Sequence, residues 1–462
     1  MTLAPLALAL SLAQAPAPAA PPPAASTSPA PQQPPAPVAP PPPAATTTLQ
    51  IREALRIAGE RNLDLKASAA RLRQAEQGYW KALSGYLPAL TLSGTYTRYG
   101  TPVNLFFPVP INARPGDMNP QTMVFDIPII ATNQWQGNID ASQVLFAPAL
   151  WYGISAASSG TEASRQATEN IRRAILFGVA QAYYGVASLR QLAEVADRLL
   201  EIAQRQEKDT RVRYQAGTVA RVNLLRAEID RARAEQDRLR ARNSYESARL
   251  ALAQLLDRPA DFDVVDPPEP PLPPDTSKLP DAAVRDRPDV KAARAQLESA
   301  EASRRAQWGG YLPTVAAFFH WQDANVAGLT GAKLWNVGLS AKWNIFDGGL
   351  REANFREANA RVAEAEVNLA GAESRARLEV SQALIELDSA RANALKAKEQ
   401  RDLSAENQRL VDVSYRAGAA TAVEQADATT AVRNAEIAQA TETLNAQLAA
   451  LRVLQSAGVD IR

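Results

Sequence analysis

Proline is absent from 149–258 and again from 314 to the C terminus, in a chain that carries 33 prolines. An interior proline removes a helical hydrogen bond and clashes with the preceding turn. Two stretches that exclude it so completely are therefore free to form very long helices. Gly217 and Gly418 sit near the middles of these Ala/Arg/Glu-rich runs, and each reads as the turn of a helical hairpin. At about 1.5 Å per residue, 350–416 would span roughly 100 Å, and 49–84 or 220–257 roughly 55 Å. Two shorter helices end to end would match one long helix. In the second run Phe355, Val362, Leu369, Ala376, Ala383, Ala390 and Ala397 lie seven residues apart. That is coiled-coil spacing, and alanine at the seam permits close helix approach. Taken alone, the seam fits a solvated rod or a coiled-coil dimer as well as it fits the wall of a tube.

The chain repeats itself. Gly-Tyr-Leu-Pro occurs at 85–88 and 310–313, "WQGNIDASQVLFAPAL" at 135–150 is answered by "WNVGLSAKWNIFDGGL" at 335–350, and "RYQAGT" at 213–218 by "SYRAGA" at 414–419. "LDLKA" at 63–67 corresponds to "PDVKA" at 288–292. Four landmarks in one order indicate an internal duplication. The offset is 225 residues at Gly85/Gly310 and 200 at Trp135/Trp335, so the first copy holds 25 extra residues between its strands. The expected layout is a signal peptide over 1–19, a Pro/Ala-rich tether over 20–48, a first repeat over 49–265, a Pro-rich linker over 266–280 and a second repeat over 281–462. The run 3–13 is apolar and of signal-peptide length, and "AQA" at 13–15 fits a small-x-small cleavage pattern. The tether carries 14 prolines between 16 and 43 and cannot build a core.

Composition removes several function classes. Fifty basic and 49 acidic residues leave a net charge of +1, which gives no electrostatic basis for binding nucleic acid. Without cysteine there is no disulfide, thiolate metal site, cysteine nucleophile or lipidated N-terminal cysteine. The single histidine, His320, excludes multi-histidine metal sites. No acid/base cluster, nucleophile elbow or phosphate loop is present. We expect no enzyme activity, no cofactor and no metal.

Four segments alternate with period two. Leu90, Leu92, Gly94 and Tyr96 oppose threonines and Ser93, and Trp135, Gly137, Ile139 and Ala141 oppose polar residues. Val315, Ala317, Phe319 and Trp321 form a less clean third case. In the fourth, Trp335, Val337, Leu339, Ala341 and Trp343 oppose Asn336, Gly338, Ser340 and Lys342. The pattern fits a small soluble sheet. It also fits membrane strands with lipid on one side, water on the other and aromatics at both ends, which makes Trp335, Val337, Leu339 and Trp343 lipid-facing. A count constrains the second reading. Membrane barrels begin at about eight strands, and an open edge in lipid leaves unpaired backbone groups. Strands that span would have to be pooled, and three chains give twelve.

Together these landmarks resemble the TolC-type outer membrane efflux family over roughly 49 to the C terminus. "GYLP" precedes the outgoing strand, "FDGG" at 346–349 joins the returning strand to the long helix, and "YxAG" marks both hairpin turns. The resemblance implies a mainly α fold with membrane β. Long helical hairpins would form a trimeric α-barrel, and four strands per chain a shared 12-stranded β-barrel in the outer membrane of a Gram-negative cell, with the helical tube in the periplasm. It implies a homotrimer docked to a periplasmic adaptor and an inner-membrane transporter of RND, ABC or similar type. The product would be a passive duct for efflux or type I secretion. It also places Glu424 and Asp427, within "VEQADATT" at 423–430, in an acidic lining of the periplasmic entrance, with Tyr415 at a gate position. Gly217, Thr218, Gly418 and Ala419 would form adaptor-docking tips. Ala420 stands where some members carry an arginine and Asn223 where they carry its acidic partner, so that salt-bridge latch is not expected here. The main rival is an exported periplasmic coiled-coil scaffold, or the adaptor itself. An adaptor would carry a lipoyl-like β module, and the sequence contains none.

Overall fold

The computed structural model describes residues 47–461 except 102, 112–114, 117, 119, 120, 131, 327 and 328. The expected signal peptide and most of the tether lie outside the described residues. The tether expected through 48 has ended by Thr47, where strand β1 (Thr47–Leu49) pairs in parallel with β6 (Phe262–Val264).

Helices α1 (Ile51–Arg61) and α2 (Leu63–Ser84) follow, where the sequence pattern suggested one helix. Asn62 divides them. Its Oδ1 accepts from Asp64 N and Leu65 N at 2.9 and 3.2 Å, capping α2, while Nδ2 donates to Leu255 O. Next come β2 (Ala89–Arg98), β3 (Val103–Ile111), β4 (Gln121–Ile130) and β5 (Asn133–Phe146). The long helix α3 (Pro148–Gln215) and its partner α4 (Arg221–Leu255) complete the first half. The second contains α5 (Leu279–Asp286), α6 (Pro288–Gly309), β7 (Thr314–Val326), β8 (Leu329–Lys342), α7 (Leu350–Arg416) and α8 (Ala422–Ser456).

Element lengths recur between the halves. Helices α2 and α6 each have 22 residues, α3 and α7 have 68 and 67, and α4 and α8 each have 35. Pro148 stands in the first turn of α3, where its missing N–H costs nothing. Gly348 and Gly349 of "FDGG", at φ +71° and +88°, turn the chain from strand into α7. Helix α7 shares its length between two partners: Arg294 of α6 meets Glu373, whereas Arg452 of α8 meets Glu386 and Gln425 donates to Asp412 near the tip. Along that helix Val362, Ala376, Ala383 and Ala397 of the heptad seam are buried, as are Ala358, Ala365 and Ala372 three residues after seam positions.

One apolar core joins the ends of the shorter helices to the middle of α3. Leu49, Leu55, Val179, Tyr183, Leu252, Leu256, Phe262 and Leu451 meet there. The Tyr183 hydroxyl lies 2.7 Å from Leu49 O and accepts from Val265 N, tying β1 and the end of β6 to α3, and burial pushes its phenol up to about 12. A second core packs Ala376, Val380, Ala383 and Leu387 of α7 against Leu279, Val290 and Val453. Among the described residues no helix is long and apolar enough to cross a membrane.

The four expected strands form one antiparallel sheet in the order β2-β5-β7-β8. Its register aligns the alternations, because directly paired residues share a face. Leu92 pairs with Ile139 and Ile139 with Trp321; Trp321 pairs with Trp335, and Ala317 with Leu339. This face is largely apolar across all four strands, with Gln143 beside Ala317 and with Asp323 and Lys333 paired past Trp321 and Trp335. The other carries Thr91, Asp140, His320 and Asn336 in one row, with His320 Nδ1 at 2.6 Å from Asp140 Oδ1. Phe318, which lies on this polar side, packs over Gly338: a Cβ there would approach Phe318 Cζ to 2.7 Å. The sequence alternation includes Trp343 in the fourth strand, but β8 ends at Lys342. Its neighbour β7 begins at Thr314, paired with Lys342, so no strand remains for Trp343 to pair with. Trp343 therefore lies just past the strand, and its Nε1 donates to Tyr311 O at 3.1 Å.

The 25 additional residues of the first half hold strands that alternation did not signal. Strands β3 and β4 form a separate antiparallel hairpin.

Candidate functional site at the hairpin tips

Both long helices end in the same way. Gly217 and Gly418 adopt φ +73° and +77°, the left-handed conformation that glycine reaches without a Cβ penalty. Gly217 N donates to Tyr214 O and Thr218 N to Arg213 O, both at 2.9 Å; Gly418 N donates to Tyr415 O and Ala419 N to Ser414 O. These paired bonds satisfy the last carbonyls of each helix in a Schellman arrangement. A Cβ on either glycine meets nothing within 4 Å, so backbone conformation alone requires it. Gly217, Thr218, Gly418 and Ala419 are all exposed, and the Thr218 hydroxyl donates back to Arg213 O.

The two tips touch. The Arg213 guanidinium of α3 lies 5.7 Å from the centroid of the Tyr415 ring on α7. Tyr415 is half-buried and lines a cavity of about 300 Å³ with Asn223 and Arg226 of α4 and Val423 of α8. The structure thus brings Tyr415 and Asn223, far apart in sequence, to one place. Further from the tip, Arg433 of α8 reaches Asp237 of α4 at 3.7 Å, a second contact between the hairpins.

Each hairpin is clasped internally by different chemistry. In the first, Arg211 bridges Glu207 and Glu228, Arg231 pairs with Glu207, and Arg238 and Arg242 both bind Asp197. Arg242 and Arg238 hold the Asp197 carboxyl below the usual range. The second carries the Arg452–Glu386 ion pair far from its tip, and nearer the tip it is joined by neutral or singly charged hydrogen bonds: Gln425 to Asp412, Gln408 to Thr429 and Arg401 to Gln439.

Glu424 and Asp427 are exposed and three residues apart on α8, hence on one face. Their surroundings differ. Glu424 closes a capping box with Thr421: its Oε2 accepts from Thr421 N at 2.7 Å and from the Thr421 hydroxyl, whose oxygen accepts from Glu424 N. These bonds hold its carboxyl below the ordinary glutamate value. The signal for this was the Thr-x-x-Glu spacing at 421–424. The Arg213–Tyr415 contact had no local signal, because its partners are separated by some 200 positions.

At the other end of the molecule Trp335, Val337 and Leu339 of β8 are 68, 68 and 70% exposed, and Leu90 and Leu92 of β2 are 75 and 79% exposed. Among the described residues nothing covers this apolar face.

The family model for outer membrane efflux proteins matches residues 54–258 and 279–459. The curated outer membrane efflux protein BepC of Brucella suis is 22% identical over 243 residues, which is 52% of this chain and 53% of that protein. The match thus spans about half the length of that relative. Among solved structures, the outer membrane protein VceC of Vibrio cholerae superposes with TM-score 0.72 at 19% identity, covering 89% of this chain and 97% of VceC. The MtrE outer membrane channel of Neisseria gonorrhoeae superposes with TM-score 0.71 at 23% identity, covering 89% of each chain. At these identities the superpositions establish the fold, and the family match over most of the chain establishes kinship: this chain belongs to the outer membrane efflux protein family.

Proposed function

We propose that three copies of this chain form a passive duct from the periplasm to the exterior. Twelve strands would close one β-barrel in the outer membrane, and the helices would continue it as a periplasmic tube. The observation that carries this reading is the open four-stranded sheet with one largely apolar face. In lipid its edges, β2 and β8, would each leave a row of unpaired backbone groups costing several kcal/mol apiece. Pairing β8 of one copy with β2 of the next removes every edge. A second observation supports it. Val367, Leu378, Ile385, Leu403 and Leu410 of α7 are exposed, and at 3.6 residues per turn they fall within roughly 40° of arc. Neighbouring copies would cover this stripe.

In this reading the halves 49–265 and 281–462 are duplicated units joined by the linker 266–280. The signal peptide 1–19 directs export, and the 20–48 tether precedes the first unit. Gly217, Thr218, Gly418 and Ala419 present the docking surface for a periplasmic adaptor, which couples the duct to an inner-membrane transporter of RND, ABC or similar type. Glu424 and Asp427 line the periplasmic aperture. The Arg213–Tyr415 stack serves as the contact between hairpins in place of the latch that Ala420 and Asn223 cannot form. Fractionation tests the location and assembly. Heat-sensitive high-mass species in outer-membrane fractions are expected, whereas recovery as single soluble chains would favour the periplasmic scaffold.

A further inference from the structure

The β3–β4 hairpin continues the β2–β5 ladder past the sheet. That ladder runs to Arg98 opposite Asn133, Tyr99 N then donates to Thr132 O at 2.7 Å, and pairing resumes from Val103 opposite Ile130 to Ile111 opposite Gln121. Because α2 leads into β2 and α3 follows β5, the hairpin leaves the sheet at the end opposite the helices. In its register Leu105, Phe107, Val109 and Ile111 share one face with Met123 and Phe125. All six are exposed, Phe107 by 47% and Phe125 by 48%. The other face bears Phe106 and Val124, also exposed, the prolines 108 and 110 and the hydrogen bond from Asn104 to Asp126.

A lone two-stranded hairpin is at best marginally stable in water, and a contiguous apolar face calls for a cover. Three arguments identify it. The β2–β5 ladder of ten residues, tilted as barrel strands are, already spans roughly 25 Å, the height of the apolar band of an outer-membrane barrel. The hairpin therefore lies beyond the hydrocarbon. Pro108, Pro110 and Pro128 lack ladder donors, so its edges resist strand addition and contact must be made through the face. Finally, a 12-stranded barrel tilted at 35–45° has a radius of roughly 13 Å, whereas a strand of nine residues reaches about 30 Å. A hairpin rising from β2, the strand that borders the next copy, easily reaches the axis and its two equivalents.

We propose that the three β3–β4 hairpins pack their Leu105, Phe107 and Phe125 faces against one another over the outer mouth, making an apolar constriction at the exit of the duct. The inference rests on the three-chain reading. Apolar rings of this kind hinder ion passage by shedding water.

The chain has no cysteine, so single-cysteine variants report cleanly. Phe107→Cys and Phe125→Cys, each extracted as intact complex, are oxidised with copper phenanthroline. Leu339→Cys, on the outer face of the barrel, serves as control. Disulfide-linked pairs, up to two chains of each three, are expected for Phe107→Cys or Phe125→Cys and not for the control. Native mass measured on the same samples separates the two levels of argument. A three-chain complex in which the thiols introduced by Phe107→Cys and Phe125→Cys stay unlinked and react rapidly with a water-soluble maleimide would overturn the constriction while leaving the duct intact. The same complex labelled there only by a lipid-phase reagent would assign the face to lipid and overturn it equally. Absence of a three-chain species would sink both. In planar bilayers Phe107→Ser/Phe125→Ser should conduct several-fold better than wild type, and unchanged conductance would also refute the proposal.

Discussion

Replacing Leu339 by arginine should damage membrane assembly, whereas replacing its neighbour Ser340 should not. Leu339 is 70% exposed on the apolar face of β8 and pairs with Ala317. It lies midway between Trp335 and Trp343. Trp335 is four residues away within β8 and Trp343, one residue past the strand's end, is four residues the other way; counted as extended chain at about 3.3 Å each and a tilt near 40°, the two tryptophans lie roughly 20 Å apart along the membrane normal. That approaches the ~25 Å apolar band and puts Leu339 near the midplane, where an arginine costs about 2–4 kcal/mol. Threefold assembly applies this three times, about 6–12 kcal/mol per barrel. Ser340 points to the polar face, where its hydroxyl lies 3.5 Å from Ala316 O, and an arginine there would cost about 0–1 kcal/mol because it meets water. The assay is the yield of the heat-sensitive assembled form after refolding into lipid vesicles, with denaturant titration of what assembles. At the lower bound, 2 kcal/mol is about a 30-fold change in the assembly equilibrium per chain. Equal impairment by the two arginines, or greater harm from Ser340→Arg, would show that the faces are assigned the wrong way round.

Gly418→Val should strain the left-handed turn by about 1–3 kcal/mol and lower export while the complex still forms, and Gly418→Asn should be milder; collapse of the complex would make the turn purely structural. Glu424→Gln with Asp427→Asn should weaken block of the channel by a trivalent cation added from the periplasmic side, and identical block curves would remove both residues from the aperture. Glutamine is chosen because it keeps an acceptor for the Thr421 cap, which alanine would delete. Arg172, with Arg173, holds the Glu169 carboxyl down at about 2, so its contribution to stability is full above the ordinary glutamate value and gone below about pH 2. Glu169→Gln should therefore melt lower than wild type at pH 6, with the gap closing as pH falls towards 2. A gap independent of pH would place the loss in packing.

Period and punctuation revealed much of the architecture. Proline-free stretches corresponded to α3 and α7, the two Tyr-x-Ala-Gly turns fell at Gly217 and Gly418, and the alternation of four segments matched the four strands of one sheet. These features are local, and local pattern records them. The omissions have physical causes. Asn62 breaks a helix by capping the next one, inside a segment whose apolar spacing runs on through it. Strands β3 and β4 carry apolar residues on adjacent positions, such as Phe106 and Phe107, and prolines within the run, so no period-two signal survives. The end of β8 is set by where β7 stops, a fact of pairing absent from the strand's own residues. At the tips, the resemblance supplied Tyr415, Glu424 and Asp427 as positions. Their partners are Arg213, reached only by tertiary contact, and Thr421, set by the local Thr-x-x-Glu capping spacing.

The claim that three chains complete one barrel is most directly tested by counting them. Native mass spectrometry of the complex released intact from outer membranes into detergent should give a single species of three mature chains, stable until heated. A single chain, a dimer or a concentration-dependent mixture would leave β2 and β8 as open edges and would contradict the account.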